Sequence, residues 1–154
     1  MEHEEESPIE LVQQADYRFA VHFPDAAVPV LVTDEGAPVG AGAGPSPSQL
    51  LGTAVANCLA ASLLFALRKF KNEPAGLRAT ARVRNTRNAS GRLRIGAIAV
   101  DLHVGMAGAR IQMRERILAQ FEEFCTVTQS VRAAIPVLVR VLDQDGAVLL
   151  DAPA

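Results

Sequence analysis

The chain has little of several things that would point quickly to a function. It carries two cysteines, Cys58 and Cys125, and three histidines, His3, His22 and His103, in 154 residues. None of these five has metal-ligand spacing with another, so no metal is expected. His22 and His103 fall in strand-like patterns and read as ordinary strand histidines. Charge of one sign is lacking too. Fifteen Lys and Arg against seventeen Asp and Glu leave a net charge of −2, which does not suit a nucleic-acid partner. The glycine-rich Gly40-Ala-Gly-Ala-Gly44 lacks the Lys-Ser/Thr of a phosphate loop, and no cofactor is expected. The first six residues, Met-Glu-His-Glu-Glu-Glu, have the wrong sign for the start of a signal peptide, and no apolar segment follows them. A cytoplasmic protein is expected, with 1–7 as a disordered acidic tail and 8–154 as a single domain. In a reducing compartment two cysteines do not make a permanent structural bridge, and a free cysteine is more often a buried core residue than a reactive one.

What is present is one long apolar stretch. Ser46 is a good helix N-cap, Pro47 suits the first helical position, and Gln49 stands where a capping box needs it. There follows LLGTAVANCLAASLLFAL, with Arg68, Lys69 and Lys71 where the helix dipole favours cations. The run is long enough to cross a bilayer. It also contains Gly52, Thr53, Asn57 and Ser62 and stands alone among amphipathic strands, so a buried helix is expected rather than a membrane span. A helix apolar on every face must be buried on every face. In a domain this small, that implies an obligate homodimer.

Around this helix the pattern alternates with period two. Strands are expected over Ile9–Gln14, Tyr17–Phe23 and Val28–Thr33, then, after the helix, over Leu77–Asn85 and Arg92–Val104. Asn88–Gly91 reads as a turn. The apolar phase of the second long strand slips beside Gly96, which suggests a β-bulge. Ala109–Phe124 reads as an amphipathic helix with Met113, Ile117, Phe121, Phe124 and Cys125 on one face. A short helix over Thr126–Ile135 and a last strand over Val137–Leu142 complete the chain, with a turn at Asp143–Gly146. Segregated runs of this kind predict an α+β fold with antiparallel sheet. The arginines between Arg78 and Arg94 read as a solvated sheet face, since few aromatics accompany them.

The residues left for chemistry are the two cysteines. Both fall near the apolar centre and could meet. A thiol in an apolar pocket is inert unless a cation lowers its pKa. Cys58 lies too deep in its helix for the N-terminal dipole to serve. A reactive Cys58 needs an arginine or lysine from elsewhere, and Arg18 is the candidate.

Pro45-Ser-Pro-Ser-Gln-Leu-Leu, then Ala56-Asn57-Cys58 in a small-residue helix, then Phe124-Cys125-Thr126-Val127-Thr128 resemble the OsmC/Ohr family, and the element order matches along nearly the whole chain. The resemblance implies an OsmC-like α+β fold: antiparallel sheets wrapped around a long central helix in an intertwined homodimer. It implies a thiol peroxidase that reduces organic hydroperoxides, with Cys58 peroxidatic, Cys125 resolving, Arg18 beside the reactive sulfur, and a dithiol reductant reopening the disulfide. Where active members of the family carry a glutamate, this chain has Ser48. That departure implies the alternative, a dimeric binding module for a small hydrophobic ligand with little or no peroxidase activity. No nucleic acid and no membrane is expected as a partner under either reading.

Overall fold

A computed structural model gives the structure of the protein, described for residues 5–153. The expected acidic tail lies in part outside these residues. Residues 5–9 have no regular structure. The described residues fall into two compact units, one ending at Leu50 and the other beginning at Leu51.

The first unit is a three-stranded antiparallel sheet of β1 (Glu10–Ala15), β2 (Arg18–His22) and β3 (Leu31–Thr33), in that order. Leu11 pairs with Val21 and Ala20 with Val32. β3 is shorter than the valine-rich run predicted, because Pro29 has no N–H to give to a ladder; Val28 and Val30 are exposed. The loop after β3 winds around a single carboxylate. Asp34 is buried and accepts hydrogen bonds from the backbone N–H of Glu35, Ala41 and Ala43, at 2.8, 3.2 and 3.0 Å. Gly40 packs so closely on this loop that a Cβ would strike the Glu35 carbonyl oxygen.

The helix α1 (Pro47–Lys69) starts as the sequence predicts. Ser46 N–H donates to Gln49 Oε1 at 2.9 Å, and Gln49 N–H donates to Ser46 Oγ at 3.3 Å, the reciprocal pair of a capping box. It ends on Lys71 in the left-handed region, with Asn72 N–H bonded to the Leu67 carbonyl and Lys71 N–H to that of Arg68. These are the two bonds of a Schellman motif.

The second unit carries a four-stranded sheet in the order β4 (Leu77–Arg87), β5 (Leu93–Val104), β6 (Val137–Leu142), β7 (Val148–Ala152). The β4–β5 hairpin turns on Asn88, whose Oδ1 accepts from Ser90 and Arg92 N–H. Arg84 pairs with Ala97 and Asn85 with Ile95, so Gly96 is the unpaired residue of a bulge, at the expected place. One pair departs from the antiparallel expectation: β6 runs parallel to β5. The helical connection between them is long enough to carry the chain back to the starting edge, which a parallel pair requires. β7 was not foreseen. Its short apolar run, Val148-Leu-Leu150, follows the Asp145-Gly146 turn and closes a hairpin on β6.

The predicted helix over Ala109–Phe124 is broken into a 3-10 turn at Gly108–Arg110, α2 (Arg114–Gln120) and a second 3-10 turn at Phe121–Phe124. The break has a visible cause. The buried Asn72 side chain takes both backbone groups of Gln112: Oδ1 accepts its N–H at 2.7 Å, and Nδ2 donates to its carbonyl at 3.0 Å. Met113 then turns left-handed and α2 starts afresh. Ile117, Phe121 and Cys125 point inward as expected, whereas Met113 and Phe124 are exposed. The last helix is α3 (Thr126–Val131).

The core lies between α1 and the sheet of this unit. Val55, Leu59, Leu63 and Leu67 form one ridge of α1 and are fully buried with Ile98, Val100 and Leu102 of β5 and Val137, Val139 and Val141 of β6. Each such leucine contributes roughly 1.5–3 kcal/mol by burial. By length and composition α1 could cross a membrane, but in this structure its main ridge packs on protein. The expectation of burial on every face is not met within one chain. Ala54, Asn57, Ala61 and Phe65 form an exposed stripe, and Phe65 is 64% accessible.

Candidate functional site

Cys58 stands in the middle of α1, half-buried. Cys125 follows the 3-10 turn Phe121–Phe124 and is fully buried. Its place is set by the Ile117, Phe121, Cys125 spacing, which puts the three side chains on the inner face of the segment. Cys125 is also the N-cap of α3, where its sulfur accepts the Thr128 N–H at 3.4 Å. The thiol donates to Thr128 Oγ1 at 2.9 Å. Thr128 is itself fully buried.

The fold brings the two cysteines near one another, close enough for the Cys58 sulfur to act on the ionisation of Cys125. Burial pushes the Cys125 thiol above its ordinary pKa, and the neighbouring Cys58 sulfur pushes the same way. The hydroxyl and N–H of Thr128 oppose them. Two neighbouring thiols are what a reversible disulfide requires first.

Arg18, at the start of β2, belongs to the first unit and the cysteines to the second. Its Nε is buried, makes no hydrogen bond, and lies 3.9 Å from Asp34 Oδ2. The Asp34 carboxyl sits below its usual pKa, first because of the Ala43 N–H, with burial opposing and Glu35, Ala41 and Arg18 adding to the effect. Asp34 was not singled out in the sequence. Its signal is slight: an acidic residue at the mouth of a glycine-rich loop. Thr128 was also missed as a partner for Cys125, although a threonine three residues after a helix-capping position is the spacing at which such contacts form.

Ser48 lies in the first turn of α1, and the helix runs unbroken to Cys58. Ten residues of helix rise about 15 Å, so the Ser48 hydroxyl does not touch that sulfur within one chain. His22 and His103 lie in β2 and β5. Among the described residues there is no group of three or more His, Cys, Asp or Glu that could hold a metal ion. The arginines of β4 face solvent, and one of them, Arg82, shares Asp101 with Arg140 at 2.9 and 2.8 Å. Beside α1, Phe65, Phe70, Ile117, Phe121 and Phe124 line an apolar cleft of about 60 Å³. Arg116 stacks over Phe70 there at 5.4 Å.

No curated protein matches this sequence. Solved structures share its fold. An OsmC-like protein of unknown function from Vibrio cholerae superposes with a TM-score of 0.75 at 13% identity, over 90% of this chain and 100% of its own. An organic hydroperoxide resistance protein from Legionella pneumophila gives 0.67 at 18% identity, over 89% of this chain and 96% of its own. The organic hydroperoxide resistance protein OhrB of Bacillus subtilis gives 0.62 at 18% identity, over 87% and 97%. At these identities the likeness establishes the fold. The sequence model described as OsmC-like protein matches residues 40–140, the stretch that holds both cysteines, and the chain belongs to the OsmC-like family.

Proposed function

We propose that the protein is a cysteine-based thiol peroxidase that reduces organic hydroperoxides in the cytoplasm as part of oxidative-stress defence. The observation that carries this reading is that the fold brings the Cys58 sulfur near enough to Cys125 to act on its ionisation. Cys58 attacks the terminal peroxide oxygen as a thiolate; the O–O bond breaks, the alkoxide takes a proton and leaves as the alcohol, and Cys58 becomes a sulfenic acid. Cys125 then attacks the Cys58 sulfur, the S–O bond breaks, and water leaves. A dithiol reductant reopens the disulfide by exchange. Arg18 is the cation assigned to the Cys58 thiolate. Two of the solved structures that share this fold are named for organic hydroperoxide resistance, which supports the same reading.

The working form is a homodimer. Its support is the exposed apolar stripe of α1, where Ala54, Ala61 and Phe65 lie uncovered. A second reading is favoured by the phenylalanine-lined cleft together with Ser48 in place of the family glutamate: a dimeric module that holds a small hydrophobic ligand. Peroxide consumption with cumene hydroperoxide and dithiothreitol separates the two. Under the peroxidase reading Cys58→Ser abolishes turnover, and Cys125→Ser, assayed without the dithiol, consumes one equivalent and stops, its Cys58 held as sulfenic acid. Equal, reagent-only rates for wild type and both variants leave the binding module.

A further inference from the structure

The environment of Cys125 is polarised in one respect that the two-cysteine scheme does not use. The sulfur is fully buried, yet it faces two hydrogen-bonding groups of one residue, the Thr128 hydroxyl at 2.9 Å and the Thr128 N–H at 3.4 Å. A hydroxyl rotates to suit its partner. While Cys125 is a thiol, Thr128 Oγ1 accepts the S–H. If Cys125 ionises, the same hydroxyl turns and donates, so that the thiolate receives two hydrogen bonds in a site with no water-exposed surface. Hydrogen bonds to a charged partner in such a place are about twice as strong as neutral ones.

We propose that Thr128 is a catalytic residue of the disulfide-forming step: its hydroxyl and N–H hold the Cys125 sulfur as the nucleophile that attacks oxidised Cys58. The inference rests on the peroxidase reading. It also gives the two chemical steps their order. The groups that act on the ionisation of Cys125 are Cys58 from α1 and Thr128 from α3. The charged pair beside them, Glu122 and Arg132, is joined through Arg132 Nη2 at 2.6 Å, while the buried Arg132 Nε makes no hydrogen bond. While Cys58 is a thiolate, its charge keeps the proton on Cys125. Oxidation turns Cys58 into a neutral sulfenic acid and removes that charge, and Thr128 continues to favour the Cys125 thiolate. The Cys125 sulfur then supplies the electron pair to the Cys58 sulfur. The Cys58 S–O bond breaks, and the departing hydroxide leaves as water with the proton that Cys125 gave up.

The test is a rapid-mixing experiment on wild type, Thr128→Val and Thr128→Ser with one equivalent of cumene hydroperoxide between about pH 6 and 9. Sulfenic acid is trapped with dimedone and disulfide is counted by mass. Valine keeps the shape and the N–H and removes the hydroxyl. Thr128→Val is expected to form disulfide about tenfold more slowly at pH 7, as loss of one hydrogen bond to a charged group implies, with the Cys58–dimedone adduct rising to match. The pH midpoint of the step moves to higher pH by about one unit. Thr128→Ser restores both. Should Thr128→Val lose the native near-UV spectrum, Thr128→Ala carries the same expectation. Disulfide formation in the folded hydroxyl-free variant at the wild-type rate and with the wild-type pH midpoint overturns the proposal. A Cys125→Ser protein that gives no dimedone adduct at Cys58 overturns the peroxidase reading itself, and the role of Thr128 falls with it. An adduct there beside an unslowed Thr128→Val overturns only the role of Thr128.

Discussion

At Gly52 α1 lies tightly on the sheet of its own unit, and Gly52→Ala measures how tightly the two are held. In an open helix the change adds about 1 kcal/mol of stability, because glycine is the poorer helix former by that amount. Here a Cβ at residue 52 falls 2.6 Å from Val83 Cγ2 on β4. Carbon atoms prefer roughly 3.5–4.0 Å, so one of the two elements must give by about an ångström. Valine is stiff at χ1 and cannot swing its methyl away cheaply. Overpacking of this kind costs about 1–3 kcal/mol. The balance is a net destabilisation of about 1 kcal/mol, or about 2–4 °C in melting temperature for a chain of this length. Val83→Ala removes the obstructing methyl. In that background Gly52→Ala should instead stabilise by about 1 kcal/mol, and the coupling between the two positions is expected near 2 kcal/mol. Urea unfolding of the four proteins at one fixed concentration reads all three numbers, the concentration being held because assembly shifts apparent stability. A Gly52→Ala protein that gains stability equally in both backgrounds would refute the claim that helix and sheet meet at this point.

The exposed stripe of α1 predicts that Phe65→Glu shifts the protein from dimer to monomer in sedimentation velocity at micromolar concentration; a standard interface buries about 1,600 Å², and a wild-type monomer under the same conditions would contradict the assembly. Asp34, Asp101 and Asp143 all sit below their ordinary carboxyl pKa of 3.8, chiefly through the Ala43 N–H, the Arg140 side chain and the Gly108 N–H respectively. A depressed carboxyl pKa stabilises the fold above the unfolded-state value and loses that contribution as pH falls through the folded one. Melting temperature should therefore drop steeply below about pH 4 and owe no slope to these groups between about pH 5 and 8. Asp143→Asn should flatten part of the acid limb, and a melting temperature unchanged between about pH 5 and 2 would contradict it.

The sequence made plain whatever rested on local chemistry. The capping box at Ser46 and Gln49, the turn at Asn88 and the bulge at Gly96 each follow from a residue acting on its immediate neighbours, and each stands where the pattern puts it. What escaped depended on distant partners. The break before α2 is caused by Asn72, forty residues earlier in the chain, taking the backbone groups of Gln112. The parallel register of β6 follows from where the helical connection delivers it, not from the alternation of Val137–Leu142. The apolar pattern of α1 gave its existence and length correctly, but an apolar face says only that something covers it, and within one chain the Phe65 stripe stays open. For the site, the residue types and the resemblance were enough to single out Cys58 and Cys125. The contacts around the candidate residues, Thr128 on the Cys125 sulfur and Asp34 beside Arg18, join side chains that no periodicity connects.

The account turns on Cys58 and Cys125 acting as one redox couple, and the most direct measurement is the thiol content of the reduced protein after a single equivalent of cumene hydroperoxide, with the peptides then mapped by mass. The account predicts that both thiols disappear together, that one Cys58–Cys125 bond forms within the same chain, and that dithiothreitol restores both. Two free thiols remaining after the peroxide has been added, or a disulfide joining cysteines of different chains, would contradict it.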